Sequence, residues 1–386
     1  MPVFLFFRSP ARLLRLMLLL AAAMIRAEET HAPASGDSMS LNEALARALL
    51  KNPSLQVQAF EARVAEARLL QAGVRPNPEL SIAAENFLGT GGFSGVKNLE
   101  TTLQLSQLID LSGTRARRID EAASERTLAD ADYEMKRLDV LAEVAKRFTE
   151  AVADAERLSA ARDARELGEQ TVAAVRKRVD AAVVSPMELP KARLALARLQ
   201  IDEEHAEHEL AAHRQLLAAI LGEAEPSFGS LRADLLTLPN VPEFVELASR
   251  LEKSPVLARF SVEARWREAQ MRLAQSQRRS GARVSGGLRR VEGTDDFGFV
   301  AGVSFPLPLR DQHQGTVREA RERRSQLDAS AAAARLEMRA TLFEVYQEML
   351  HARTALTQLR QEVIPFAEEA LGISDQGYRS GRLSLI

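Results

Sequence analysis

The sequence predicts a mainly helical protein with a small β part, assembled from two structural repeats that each carry long coiled-coil helices. Three observations lead there. First, Pro53, Leu55, Glu61, Ala62, Arg63, Glu66 and Ala67 recur, 202 positions on, as Pro255, Leu257, Glu263, Ala264, Arg265, Glu268 and Ala269, and the same offset carries Gly113 and Thr114 onto Gly315 and Thr316. Self-similarity over such a distance means one supersecondary unit used twice. Second, charged residues make up 27% of the chain, aromatics only 5%, with a single Trp, the composition of long Ala-rich helices and not of a compact mixed core. Third, a helical period of hydrophobic residues gives way twice to an alternating one, blurred in the last strand by Val300, and then resumes.

The chain opens on a targeting segment. Arg8, Arg12 and Arg15 precede an apolar run from Leu16 to Ile25, followed by Arg26, Ala27 and an acidic stretch with Pro and Ser. A basic region, a short apolar region and small residues read as a secretory signal peptide over residues 1–27. Cleavage after Ala23, Ala27 or Ala34 is compatible with the sequence. The run is short for a bilayer span, and a short anchor is the alternative to export. There is no Cys, which excludes disulfides, thiolate metal sites and a lipidated N-terminal Cys.

The first repeat occupies residues 38–222. Leu41, Ala44, Leu45, Ala48 and Leu49, then Leu55, Phe60, Val64, Ala67 and Leu70, follow a helical period, with a break and restart at Asn52 and Pro53. Pro76 and Pro78 stop the helix. Within residues 79–107 the period becomes two: Leu80, Ile82 and Ala84 alternate with Ser81, Ala83 and Glu85, and after a Gly-rich turn Leu99, Thr101, Leu103 and Leu105 alternate with polar partners. A helical hairpin over 114–221 follows. Leu138, Leu141, Ala145, Phe148, Val152 and Ala155 form a seam with spacings of three and four, and an unbroken helix from Thr114 to Ala182 would be a rod of roughly 100 Å. Val183, Val184, Ser185 and Pro186 turn the chain into a return helix. Residues 223–242, with Gly and Pro, form a connector.

The second repeat, 243–386, has the same order. A helix from Val245 to Gln277 leads to strands within 282–305, where Phe297, Phe299, Ala301 and Val303 face one way, and then to a long helix over 314–380. Phe-rich alternation over about 9 to 11 residues is what a membrane-barrel strand requires, so four transmembrane β-strands are expected. Four strands cannot close a barrel, and open edges are not tolerated in lipid; several chains must share one. Aligning Ser185 and Met187 with Ser384 and Ile386 puts the last residue at the second tip turn. The repeat therefore leads one to expect a further return helix, without which a flank of the long helix is unpaired and assembly is impaired.

Four segments in this order and spacing carry a resemblance: Leu41-Asn-Glu-Ala-Leu45 with Asn52-Pro53, the run Leu105 to Arg115, the run Ser304 to Gly315, and Tyr378 to Ser384. From about residue 38 on, the chain resembles the TolC-like outer membrane efflux proteins, and within them the heavy-metal and cation efflux (CzcC/CusC-type) branch. The resemblance implies a trimeric α/β-barrel channel in the cell outer membrane, its helical tunnel in the periplasm. It further implies a passive conduit in a tripartite RND-type efflux system for metal cations or small toxic compounds, with a periplasmic adaptor protein, an inner-membrane pump and outer-membrane lipid as partners, and no cofactor. It also assigns the two turns to the periplasmic tip. Arg178, Asp180, Val183, Ser185, Pro186 and Met187 in the first copy, and Tyr378, Gly381, Leu383 and Ser384 in the second, become candidate adaptor contacts. The family usually has Gly where this chain has Ala182. A periplasmic adaptor or a structural coiled coil is the alternative, though an adaptor has one hairpin and this chain two.

Other residues invite chemistry without supporting it. His205, His208 and His213 lie among Glu203, Glu204 and Glu207, and a solvated helix face explains them as well as a metal site does. His313 sits at a strand-to-helix corner, and Asp295 and Asp296 read as an exposed turn. No nucleophile elbow, phosphate-cradling loop or His-Glu-x-x-His helix is present, so no enzyme, catalytic site or metal site is expected. The net charge of -2 argues against a nucleic-acid partner.

Overall fold

The computed structural model describes residues 38–235, 237, 240–278 and 281–380. The signal peptide expected over 1–27, and Gly381, Leu383 and Ser384 of the expected tip, lie outside the described residues.

A short strand β1 (Met39–Ser40) enters α1 (Leu41–Lys51) and, after Asn52, α2 (Pro53–Ala72). Ser40 and Glu43 form a reciprocal capping box at the start of α1. Asn52 caps α2 by accepting from the N–H groups of Ser54 and Leu55 at 2.9 and 3.2 Å, while Pro53 takes the position where a missing N–H costs nothing. Strands β2 (Glu79–Glu85) and β3 (Glu100–Ile109) come next, then the 67-residue α3 (Thr114–Asp180) and the antiparallel α4 (Glu188–Ile220). β4 (Leu231–Arg232) pairs in parallel with β1.

The later chain runs through α5 (Phe244–Leu251), α6 (Pro255–Ser276), β5 (Ala282–Val291), β6 (Asp296–Ser304), α7 (Gln314–Gln358) and α8 (Ile364–Arg379). Two helices expected to be continuous are interrupted. The helix expected over Val245–Gln277 breaks between Leu251 and Pro255, where Ser254 accepts from Leu257 N–H as an N-cap. The helix expected over 314–380 passes through a π-turn at Leu359–Val363, separated from Pro365 by one residue. Proline has no N–H for the carbonyl four residues back, and the widened turn absorbs the mismatch.

The core sits where α1, α3 and α4 meet the β1–β4 pair. Met39, Ala44, Ala48, Leu55, Val144, Phe148, Val152, Leu217, Leu221 and Phe228 are buried together there. The buried stripe of α3 runs through Val140, Val144, Phe148, Ala151, Val152 and Leu158, so Phe148 and Val152 of the expected seam are inside while Leu138 and Ala155 face out. A helix touched by α1, α2, α4, α6 and β4 buries residues on more than one side, which a single heptad seam does not register. Two further contacts close the region. Asn52 Nδ2 donates to Ile220 O at 2.7 Å, and Gly222, at φ +81°, lies so close to Lys51 that a Cβ would come within 2.5 Å of its carbonyl oxygen.

β2, β3, β5 and β6 form one antiparallel sheet in that order. The register pairs Ile82 with Leu103, Leu103 with Leu288 and Leu288 with Phe299, so these residues share a face. That face is apolar and open: Ile82 is 73% exposed and Phe299 93%. The opposite face carries Glu79, Glu85, Glu100, Thr102, Gln104, Ser106, Arg283, Ser285 and Arg289 by the same register. Among the described residues, β2 and β6 are free edges of this sheet.

Both corners that lead from sheet to helix need a left-handed residue. Gly113 supplies it before α3 with φ +70°, and His313 before α7 with φ +53°. The sequence match that carried Gly113 onto Gly315 is therefore displaced by two residues at this corner, because Gly315 is already inside α7.

Candidate functional site

α3 ends in a Schellman arrangement. Val183 N–H donates to Arg178 O at 2.9 Å and Ala182 N–H to Val179 O at 2.9 Å, which satisfies two orphan carbonyls. The residue at the turn must be left-handed, and Ala182 is, with φ +55°. The turn expected from the resemblance forms with Ala in the place of Gly, at a conformational cost of about 1 kcal/mol. Ser185 then holds the start of α4: its hydroxyl accepts from Met187 N–H at 3.3 Å and its carbonyl from Glu188 N–H at 3.1 Å.

Of the expected tip residues the fold brings two together. The Arg178 guanidinium lies 4.0 Å from the Tyr378 ring centroid, and its Nη1 donates to Tyr378 O at 3.0 Å. This ties the end of α3 to the end of α8. Asp180, Val183, Ser185, Pro186 and Met187 are exposed on the turn itself, Val183 and Met187 as apolar tips at 62% each.

Glu188 belongs to this group and sequence reasoning missed it. It opens α4 and is only 9% exposed. One carboxylate oxygen meets Lys191 at 3.1 Å, while the other is buried with no hydrogen-bond partner among the described residues, as is the Tyr378 hydroxyl. Most buried polar atoms are hydrogen-bonded, so these two are exceptions at this end of the helices. The available signal was an acid at the first position of the return helix, directly after Pro186 and Met187.

The histidines separate. His205 and His208 pair with Glu209 and Glu204 at 3.4 and 3.7 Å on an exposed face of α4, and no group of three metal-ligating side chains occurs among the described residues. His213 points instead to α3, where its Nδ1 bonds the buried Asp154 carboxylate, which also accepts from Arg157 at 2.6 Å. They line a groove of about 520 Å³. His313 is the backbone corner described above.

At the sheet end, Asp110 organises the entry to α3. Its carboxylate accepts from the N–H groups of Ser112, Thr114 and Arg115 at 3.1, 3.2 and 2.6 Å and from the Ser112 hydroxyl at 3.0 Å. Desolvation, the largest single influence, pushes this carboxyl up; the combined hydrogen bonds, led by Arg115 N–H, outweigh it and hold the group below the ordinary range.

No helix among the described residues is long and apolar enough to cross a membrane; the sheet, with one apolar face, is carried at the end of long helices. Known proteins share that architecture. CusC superposes with a TM-score of 0.69 over 91% of this chain and 85% of its own at 15% identity, and VceC of Vibrio cholerae with 0.70 over 89% and 87% at 19% identity. In sequence, the cobalt-zinc-cadmium resistance protein CzcC of Cupriavidus metallidurans is 29% identical over 348 residues, 90% of this chain and 82% of the relative. The nickel-cobalt-cadmium resistance protein NccC of Alcaligenes xylosoxydans xylosoxydans is 24% identical over 84% of this chain and 71% of its own. The sequence model described as outer membrane efflux protein matches residues 44–223, from α1 to the end of the α3–α4 hairpin. Over those residues the chain matches the outer membrane efflux protein family, and its similarity to CzcC and its superposition on CusC extend that likeness over most of its length.

Proposed function

We propose that this chain is the outer-membrane channel component of a tripartite efflux system that exports metal cations, in which it acts as a passive conduit and not as an enzyme. The observation that carries this reading is the four-stranded sheet. It exposes Leu80, Ile82, Phe297 and Phe299 on one face and presents charged and hydroxyl side chains on the other. A sheet with an apolar outside, a polar inside and two free edges is stable in lipid only when it is closed. Three copies, β2 of one against β6 of the next, would close a barrel of twelve strands. The long helices would continue it as a tunnel in the periplasm.

Two structural repeats per chain fit this assembly, each giving one strand pair and one set of long helices. The metal-resistance relatives support cations as cargo. The tip formed by Arg178, Asp180, Val183, Ser185, Pro186, Met187 and Tyr378, with Glu188 behind it, is the proposed contact for a periplasmic adaptor linked to an inner-membrane RND pump; exposed Val183 and Met187 supply its apolar component. Gly381, Leu383 and Ser384 are proposed for the same surface.

Expression of the full chain in a Gram-negative host lacking its own metal-efflux channel tests the reading. The expected result is a heat-modifiable trimer in the outer-membrane fraction, channel conductance in planar bilayers, and restored resistance to cobalt, zinc or cadmium when pump and adaptor are present. A soluble monomer without conductance would refute it.

A further inference from the structure

We propose that Arg289 sets the ion preference of the passage lined by the sheet's polar face, by masking carboxylates at its hairpin end. The inference rests on the conduit reading above and names a residue that tunes it. Cross-strand partners share a face, so the register fixes what lines the passage. Glu85, Glu100, Val291 and Asp296 form one row across the four strands, and Ala83, Thr102, Arg289 and Gly298 form the next row on the same face. Both rows lie where β2 and β3, and β5 and β6, are joined by their turns.

Arg289 spans three strands. From β5 its Nε donates to Thr102 Oγ1 on β3 at 3.0 Å, one terminal nitrogen to Glu100 Oε2 on β3 at 2.8 Å, and the other to Glu85 Oε2 on β2 at 3.2 Å. The planar fork thus holds two carboxylates at once, which a point-charge ammonium cannot do with the same geometry. The group is not buried: the Arg289 side chain is 36% exposed and Glu85 54%, so its charge is felt by ions in the passage.

At this level one guanidinium stands against three carboxylates, Glu85, Glu100 and Asp296. Each chain contributes a net charge of about -2, and without Arg289 it would contribute about -3, which three copies turn into a ring of roughly nine carboxylates. Fixed charge of one sign in a narrow passage with low-dielectric walls concentrates counter-ions. Conduction also requires that each site release what it binds. An unmasked ring would hold divalent cations at the exit, whereas with Arg289 in place the ring attracts cations without chelating them.

The test is the reversal potential of the reconstituted full chain across a KCl gradient at low salt, where the Debye length is near 10 Å or longer. R289Q is expected to raise the K⁺/Cl⁻ permeability ratio about twofold or more and to make the channel more sensitive to block by Zn²⁺. R289K keeps the charge and loses the fork, and is expected to keep the parent ratio. The double substitution E85Q/E100Q is expected to lower the ratio. An R289Q channel with an unchanged reversal potential, or R289K behaving as R289Q does, would overturn the proposal while leaving the conduit reading intact. If R289Q does not assemble, E85Q/E100Q decides from the other side, and an unchanged ratio there overturns the proposal. Absence of conductance from the parent chain would overturn both.

Discussion

Arg178→Ala is expected to release the end of α3 from the end of α8. Two interactions are lost. The guanidinium 4.0 Å from the Tyr378 ring centroid contributes about 0.5–1 kcal/mol at a half-exposed site. The charged donor to the Tyr378 carbonyl at 3.0 Å contributes about 1.5 kcal/mol, the low end for a charge-assisted bond because solvent competes. Together they favour the tied arrangement by roughly 2 kcal/mol, or about 30-fold in its population. The chain has no Cys, so spin labels on cysteines introduced at Val183 and Ser374 read the separation of the two helix ends without background. Arg178→Ala should broaden that distribution and raise single-channel open probability. Tyr378→Phe is the control: the hydroxyl has no partner among the described residues, so its removal should leave the tie intact or tighten it. If Tyr378→Phe loosens the tip as much as Arg178→Ala, or if Arg178→Ala leaves both readouts unchanged, the account of this contact is wrong.

Three further outcomes follow from the geometry. Asn52→Ala removes a cap worth about 1 kcal/mol and strands the Ile220 carbonyl for about 1 kcal/mol or more, so thermal unfolding in detergent should show a loss of roughly 2 kcal/mol; Asn52→Asp keeps the cap acceptor but sets a buried carboxylate oxygen against the Ile220 carbonyl where the donor was, and should be no more stable than Asn52→Ala. Ala182→Gly relieves the left-handed turn at the tip and should stabilise the hairpin by about 0.5–1 kcal/mol, seen as slower proteolysis at that turn. Asp110 has a depressed folded-state pKa, so its stabilisation is complete above its unfolded value near 4 and disappears as pH falls through the lower folded value. Asp110→Asn should cost about 1 kcal/mol at neutral pH and flatten the acid limb of the stability profile, and an unaltered acid limb would count against the capping role.

The mainly helical character with some sheet was legible because it depends on periodicity, which every residue of a segment reports. What was illegible depends on partners. The seam through Leu138 and Ala155 follows heptad spacing alone, whereas the helix packs against four other helices and β4, and the packed stripe runs instead through Val140 and Val144. The π-turn before Pro365 was announced by that proline, whose missing N–H the hydrophobic pattern alone does not register. His213 looked like part of a polar triplet with His205 and His208, yet it is one turn before Leu217 and turns inward to Asp154. Position along a charged stretch did not decide orientation; the core beside it did.

The helix starts and the sheet corners show why residue identity is a weak guide to backbone conformation. Asn52 and Ser254 both cap a helix that starts with proline, and identity matching registers only Pro53 and Pro255. Gly113 and His313 both supply a left-handed corner, and identity matching pairs Gly113 with the wrong residue. Five non-glycine residues adopt positive φ among those described: Asn86, Leu88, Ala182, Asp295 and His313. All lie in the hairpin turns, at the tip turn or at a sheet-to-helix corner, and none lies within a helix or strand. Strain is therefore confined to the places where the chain reverses between long straight elements. Each such residue costs on the order of 1 kcal/mol, and a hairpin as long as α3–α4, with its packing at the far end anchored by Phe148 and Leu217, absorbs that cost at Ala182 without yielding the turn.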